Sequence, residues 1–152
     1  MKSKKLILSV LVAACMLTVS QTAFASGNFS PEPFADSIDK AEKFAEPQFF
    51  SHYINAVNDV DWYSYTNTSG KDQYVTVFLL TPKNNNNDLT VSWGSDPDHL
   101  KGTANVADRG TDKFDSYTQK IQSGDSIYWK VAPHAAGSFD SKVNYWTWFQ
   151  VK

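Results

Sequence analysis

The chain has 152 residues, with 14 Lys+Arg against 16 Asp+Glu, a formal charge of −2 and a pI of about 5.8. That length suits one folded domain and excludes a catalytic domain with a separate substrate domain, while the charge balance excludes the basic stripe of a nucleic-acid binder. Five Trp, 7 Tyr and 10 Phe, with 13 Asp against 3 Glu, favour short strands and turns over helices.

Residues 1–25 read as a targeting segment. Met1 to Lys5 is cationic, Leu6 to Val19 is apolar, and Ala23-Phe24-Ala25 gives the small-x-small pattern of a cleavage site before Ser26. The apolar run is shorter than the roughly 20 residues of a membrane span. A second pattern overlaps it: Val12-Ala13-Ala14-Cys15 is lipobox-like and would make Cys15 a lipid anchor. The first pattern predicts a secreted chain of 152 − 25 = 127 residues with a charge of (14 − 3) − 16 = −5 and no transmembrane segment. Its one cysteine leaves with the signal, so packing, helped at most by a bound ion, has to supply stability in an oxidising destination.

Residues 26–46 form an arm. Pro31-Glu32-Pro33 is stiff and extended, and Phe34, Ile38, Ala41 and Ala45 recur at helical spacing before Pro47, so a short helix and an irregular arm both fit. From residue 47 to 152 the periodicity is two. Strands are predicted at Phe50 to Ala56, Asp61 to Thr66, Gln73 to Thr81, Leu89 to Trp93, Phe114 to Ile121, Ile127 to Val131 and Val143 to Val151. Lys83 to Asp88, with its Asn84–Asn87 run, reads as a solvated hairpin tip, and Lys101 to Thr111 as a long connection. Asn67-Thr68-Ser69 fits the glycosylation pattern within a turn. About seven or eight strands, with a turn roughly every ten residues, predict an all-β antiparallel sandwich.

Val57-Asn58-Asp59-Val60-Asp61-Trp62-Tyr63-Ser64-Tyr65 resembles the D-x-D-W-Y-x-F signature of bacterial pre-peptidase C-terminal domains, which include the collagen-binding domains of clostridial collagenases. Asp36-Ser37-Ile38-x-x-Ala41, Asn87-Asp88-Leu89, Ser123 to Val131 and the last strand are similar to further pieces of that family, whereas Lys101 to Thr111 matches none of it. The resemblance spans most of Asp36 to Val151 and implies a jelly-roll-like β-sandwich of the kind appended to secreted exoenzymes, with Tyr63 and Tyr65 turned inward. It also implies calcium between the arm and the signature strand, with Glu32, Asp36, Asp59 and Asp61 as ligands. The alternative is that Asp59 caps a turn and Asp61 bonds locally to backbone N–H groups.

Nothing in the sequence proposes an enzyme. There is no G-x-S-x-G elbow and no H-E-x-x-H helix, and His52, His99 and His134 lie on separate segments. The aromatics carry the functional expectation. Alternation puts Tyr145, Thr147, Phe149 and Val151 inward and leaves Trp146 and Trp148 on the outer face, roughly 7 Å apart; Tyr128 is expected outward on its own strand. A register slip of one residue would instead bury both Trp. The expected function is a secreted, non-catalytic module that holds an extracellular polysaccharide or fibrous, collagen-like protein through Tyr128, Trp146 and Trp148. A small effector or inhibitor acting on a protein or membrane, and a processing module for a separate exoenzyme, are the alternatives.

Overall fold

The structure, a computed structural model, describes residues 35–152. The targeting segment, Cys15 and Glu32 lie outside the described residues. A 3-10 turn, Ile38–Lys40, is followed by nine strands: β1 (Glu42–Phe44), β2 (Phe49–His52), β3 (Asp61–Thr66), β4 (Gln73–Leu80), β5 (Asn87–Gly94), β6 (Leu100–Asn105), β7 (Phe114–Ile121), β8 (Ser126–Pro133) and β9 (Tyr145–Val151). They form a β-sandwich. The first sheet has the order β1-β3-β8-β5-β6 and the second β2-β9-β4-β7. Among the described residues no helix is long and apolar enough to cross a membrane.

The strand pairs are antiparallel except at one edge, where β1 runs parallel to β3 with Phe44 opposite Tyr65. The chain leaves the first sheet for β2 in the second and then returns for β3, so β1 and β3 point the same way. Within the described part of the arm the short helix is the 3-10 turn, and β1 adds a strand that the helical spacing did not announce. Phe44 is buried at 4% exposure and packs on Tyr63, Trp129 and Phe149 with centroid separations of 5.8, 5.7 and 6.2 Å.

Alternation fixes the core. Tyr63 and Tyr65 of β3, Val75, Val77 and Leu79 of β4, Ile127, Trp129 and Val131 of β8, and Tyr145 and Phe149 of β9 all point between the sheets. The aromatic weight of the sequence is spent largely there, in rings meeting at tilted and stacked geometries. Two polar groups enter with partners. The Trp129 indole N–H donates to Thr147 Oγ1 at 2.9 Å, and that hydroxyl donates onward to the Phe78 carbonyl at 2.8 Å.

Three sequence expectations are corrected. The first part of the stretch expected as a connection, Lys101 to Asn105, belongs to edge strand β6 (Leu100–Asn105), paired with β5. It shows little apolar alternation because Gly102 supplies no side chain: Trp93 lies over it, and a Cβ there would sit 2.4 Å from Trp93 Cζ2. The asparagine run is no solvated tip. Asn85 and Asn87 are buried, and Asn85 donates to the Val143 carbonyl at 2.9 Å and accepts Asp140 N–H at 2.6 Å. Asn67 is buried as well, and its Nδ2 donates to the Lys71 and Ile121 carbonyls, which removes it as a glycosylation acceptor.

Candidate binding face

The outer face of the second sheet is where the aromatic surplus surfaces. Register aligns Phe49 of β2, Trp148 of β9 and Phe78 of β4 in one row across three strands. The next row holds Trp146, flanked by Ser51 and Leu80, with Phe114 opposite Leu80 on β7. Trp146 and Trp148 are half-buried and face outward, in the register that alternation predicts; inward-facing Tyr145, Thr147 and Phe149 are buried.

Trp148 is the hub of this face. Phe49 stacks on it at 5.3 Å and Phe78 at 4.9 Å, from the strands on either side, while Phe114 meets it edge-on at 5.5 Å and 90°. Both faces of the Trp148 indole are therefore already covered by phenyl rings. What reaches solvent is an aromatic ridge whose most open members are Phe114, 51% exposed, and Phe49, 37% exposed, on the two edge strands. Beyond the ridge the same face turns polar, with Thr76 and Thr118 hydroxyls 2.8 Å apart and Lys120 paired with Asp72 at 2.9 Å. The ridge itself carries no charge. An uncharged apolar strip beside hydroxyl groups is suited to binding neutral, ring-bearing material through contact area rather than through ion pairs.

Tyr128 does not belong to this face. It lies on the other sheet, opposite Ser64 and Ser92, and is only 6% exposed. The alternation was read correctly, but outward direction is not exposure, and the ring has no free face for a ligand. Phe49, Phe78 and Phe114 complete the ridge instead; no one strand announces them, because only the register between β2, β9, β4 and β7 brings them to Trp148.

The four acidic residues expected to hold calcium divide. Ala35 accepts Trp62 N–H through its carbonyl at 2.9 Å, so the arm does reach β3, and Asp36 follows there, exposed. Asp59 Oδ2 accepts Asn55 N–H at 2.7 Å, the turn-capping role. Asp61 is fully buried: Oδ2 accepts the Tyr145 hydroxyl at 2.5 Å and lies 3.5 Å from His52 Nδ1, and Tyr145 in turn hydrogen-bonds Tyr63. Burial, with the Asp61 charge nearby, pushes both phenols well above their usual range and keeps them protonated as donors. Among the described residues, the His/Asp/Glu group dense enough to hold an ion lies elsewhere, at Asp88, Asp108 and His134.

Among solved structures the chain is similar to the pre-peptidase C-terminal domain of a collagenase from Bacillus anthracis, with 12% identity, a TM-score of 0.50, and coverage of 82% of this chain and 100% of that one. The likeness is one of fold. No protein-family profile matches the chain, and no curated protein matches it in sequence. The shared fold agrees with the architecture that the signature strand Asp61–Thr66 implied, at the level of a two-sheet sandwich.

Proposed function

We propose that the protein is a secreted, non-catalytic binding module that holds an extracellular polymer against the outer face of its second sheet. The observation that carries this reading is the ridge of Phe49, Trp148, Phe78 and Phe114, an uncharged aromatic strip in a chain with ample core to bury its aromatics. Exposing such a strip costs solubility unless a ligand covers it. Because the indole faces of Trp148 are taken, the ridge offers ring edges and the open phenyls of Phe49 and Phe114 rather than a broad flat platform. That shape favours a fibrous protein with apolar ring side chains, collagen-like in character, over the flat sugar faces of a crystalline polysaccharide. The fold shared with a domain of a collagenase supports the same direction.

Secretion rests on the cationic-apolar-small layout of residues 1–25. Calcium at the arm is a part of the proposal, with Glu32, Asp36, Asp59 and Asp61 as the ligands that the resemblance implies and Asp36 exposed to receive it. One experiment tests these parts together. The purified protein is incubated with fibrillar collagen, chitin, cellulose and peptidoglycan, each with calcium and with chelator. Retention on collagen, abolished with Phe49→Ala plus Phe114→Ala, is the expected result. Retention on a polysaccharide alone would move the ligand class, and passage through all four would favour the effector reading. A retained fraction that is the same in chelator would remove calcium from the account.

A further inference from the structure

We propose that Asp88, Asp108 and His134 form a site for one divalent transition-metal ion, of which zinc has the best-matched ligand preferences. The three residues come from separate parts of the chain: Asp88 is the second residue of β5, His134 directly follows β8, and Asp108 lies in the connection between β6 and β7. Two independent restraints bring them together. The β5–β8 register places Asp88 opposite Ala132, and His134 N–H donates to the Asn86 carbonyl at 3.0 Å. Asp108 is fixed from its own side, with Oδ1 accepting Gly110 N–H at 2.6 Å and Oδ2 accepting Asn86 Nδ2 at 2.9 Å.

The resulting spacing suits a small ion. His134 Nδ1 lies 2.9 Å from Asp88 Oδ1 and 3.5 Å from Asp108 Oδ2, and the three ligand atoms fall within 4.8 Å of one another. A tetrahedral zinc ion with bonds of about 2.0–2.1 Å holds its ligands roughly 3.3–3.4 Å apart, a spacing that the two separations from His134 Nδ1 bracket. Hydrogen bonding alone leaves a remainder. One proton on Nδ1 serves one acceptor well, yet two carboxylate oxygens converge on it. Asn86 provides a separate sign: its Oδ1 is a buried atom with no hydrogen-bond partner, while its Nδ2 faces Asp108. With an ion holding Asp108 in place of the Asn86 Nδ2 hydrogen bond, a half-turn of that amide would bring its carbonyl oxygen to the same place as a fourth donor. Buried polar atoms of this kind are commonly satisfied by water or an ion.

The surrounding charge favours a cation. Asp115, buried on β7 and accepting Arg109 N–H at 2.9 Å, is raised above the usual carboxylate range by burial first and then by the charges of Asp108 and Asp88. The donor set selects the ion. Imidazole nitrogen with two carboxylates and an amide suits zinc and its neighbours, whereas calcium asks for six to eight oxygens. The ion would pin the connection that leads into Phe114 to the ends of β5 and β8.

The test is titration of the chelator-treated protein with zinc chloride at pH 7.5, followed by calorimetry and by the histidine ring resonances, with calcium chloride in parallel. One zinc per chain, with His134 shifting before His52 and His99, is expected. His134→Ala and Asp108→Asn should each weaken binding at least tenfold, and His99→Ala, which removes the imidazole paired with Asp96 elsewhere on the surface, should leave it unchanged. Absence of a zinc-dependent heat and of any His134 shift, or equal binding by His134→Ala, would overturn the site. Calcium binding as tight as zinc would overturn the assignment to a transition metal.

Discussion

Thr147 shows how one polar side chain is afforded inside an aromatic core. It accepts the Trp129 indole N–H and donates to the Phe78 carbonyl, linking β8, β9 and β4 at the centre of the sandwich. Thr147→Val keeps the shape and removes both bonds, leaving a buried indole N–H without an acceptor. A loss of about 1–3 kcal/mol in urea unfolding is expected; a change below about 0.5 kcal/mol would show that the network contributes nothing. At the surface, His99 Nδ1 and Asp96 Oδ1 lie 2.7 Å apart, which holds the imidazole above its ordinary value and the carboxyl below its own. The sign follows: the imidazole's part of this stabilisation is complete below its unfolded pKa of about 6.5 and is lost as pH rises through the raised folded value. NMR titration should place His99 above about 6.5 and return it there in Asp96→Asn; an unchanged midpoint would exclude the pair as the cause. Both partners of the Thr147 network were legible as inward positions by alternation, but the bonds between them depend on a cross-sheet approach that no single strand encodes.

At the scale of elements, the ease of reading tracks the side chains each strand carries. β3 and β7 were bounded correctly from sequence alone, because β-branched and aromatic residues alternate there and turns of Asn, Ser, Gly or Asp close them. β6 was not, since an edge strand with Gly102 at its centre has no apolar face to announce it. Its packing residue belongs to the neighbouring strand: Trp93 covers Gly102 and stacks on Tyr117 at 6.0 Å, closing the side of the sandwich between the two edge strands. Gly102→Ala therefore forces a stacked indole to move. We expect a cost of about 1–3 kcal/mol, the range for overpacking. A neutral result in thermal unfolding would show that Trp93 is free to give way. The asparagine run was misread for a related reason, as Asn85 finds its partners at Asp140 and Val143, more than fifty residues away.

The two outer faces of the whole molecule differ in kind. On the first sheet the outward positions of adjoining strands are rich in small hydroxyl residues, with Ser64 and Ser92 flanking a buried Tyr128. On the second, register gathers Phe49, Phe78 and Phe114 around Trp148. The sequence showed that Trp146 and Trp148 face outward, yet not that phenyl rings on three other strands would complete the surface. Those partners are set by register between β2, β9, β4 and β7, a property of the assembled sheet. The metal-ligating group has the same origin, three residues that are unremarkable until the folded chain brings three segments together. Each variant at the ridge is also a check on folding, because Phe49 and Phe114 are the exposed members and Trp148 and Phe78 keep their stack without them. The most direct test is accordingly the retention of the protein on fibrillar collagen, compared with that of Phe49→Ala plus Phe114→Ala at matched near-ultraviolet circular dichroism. A loss of at least about tenfold in affinity, roughly 1.4 kcal/mol, with the fold unchanged is the predicted result. Equal retention of the two proteins would contradict the aromatic ridge as the binding surface.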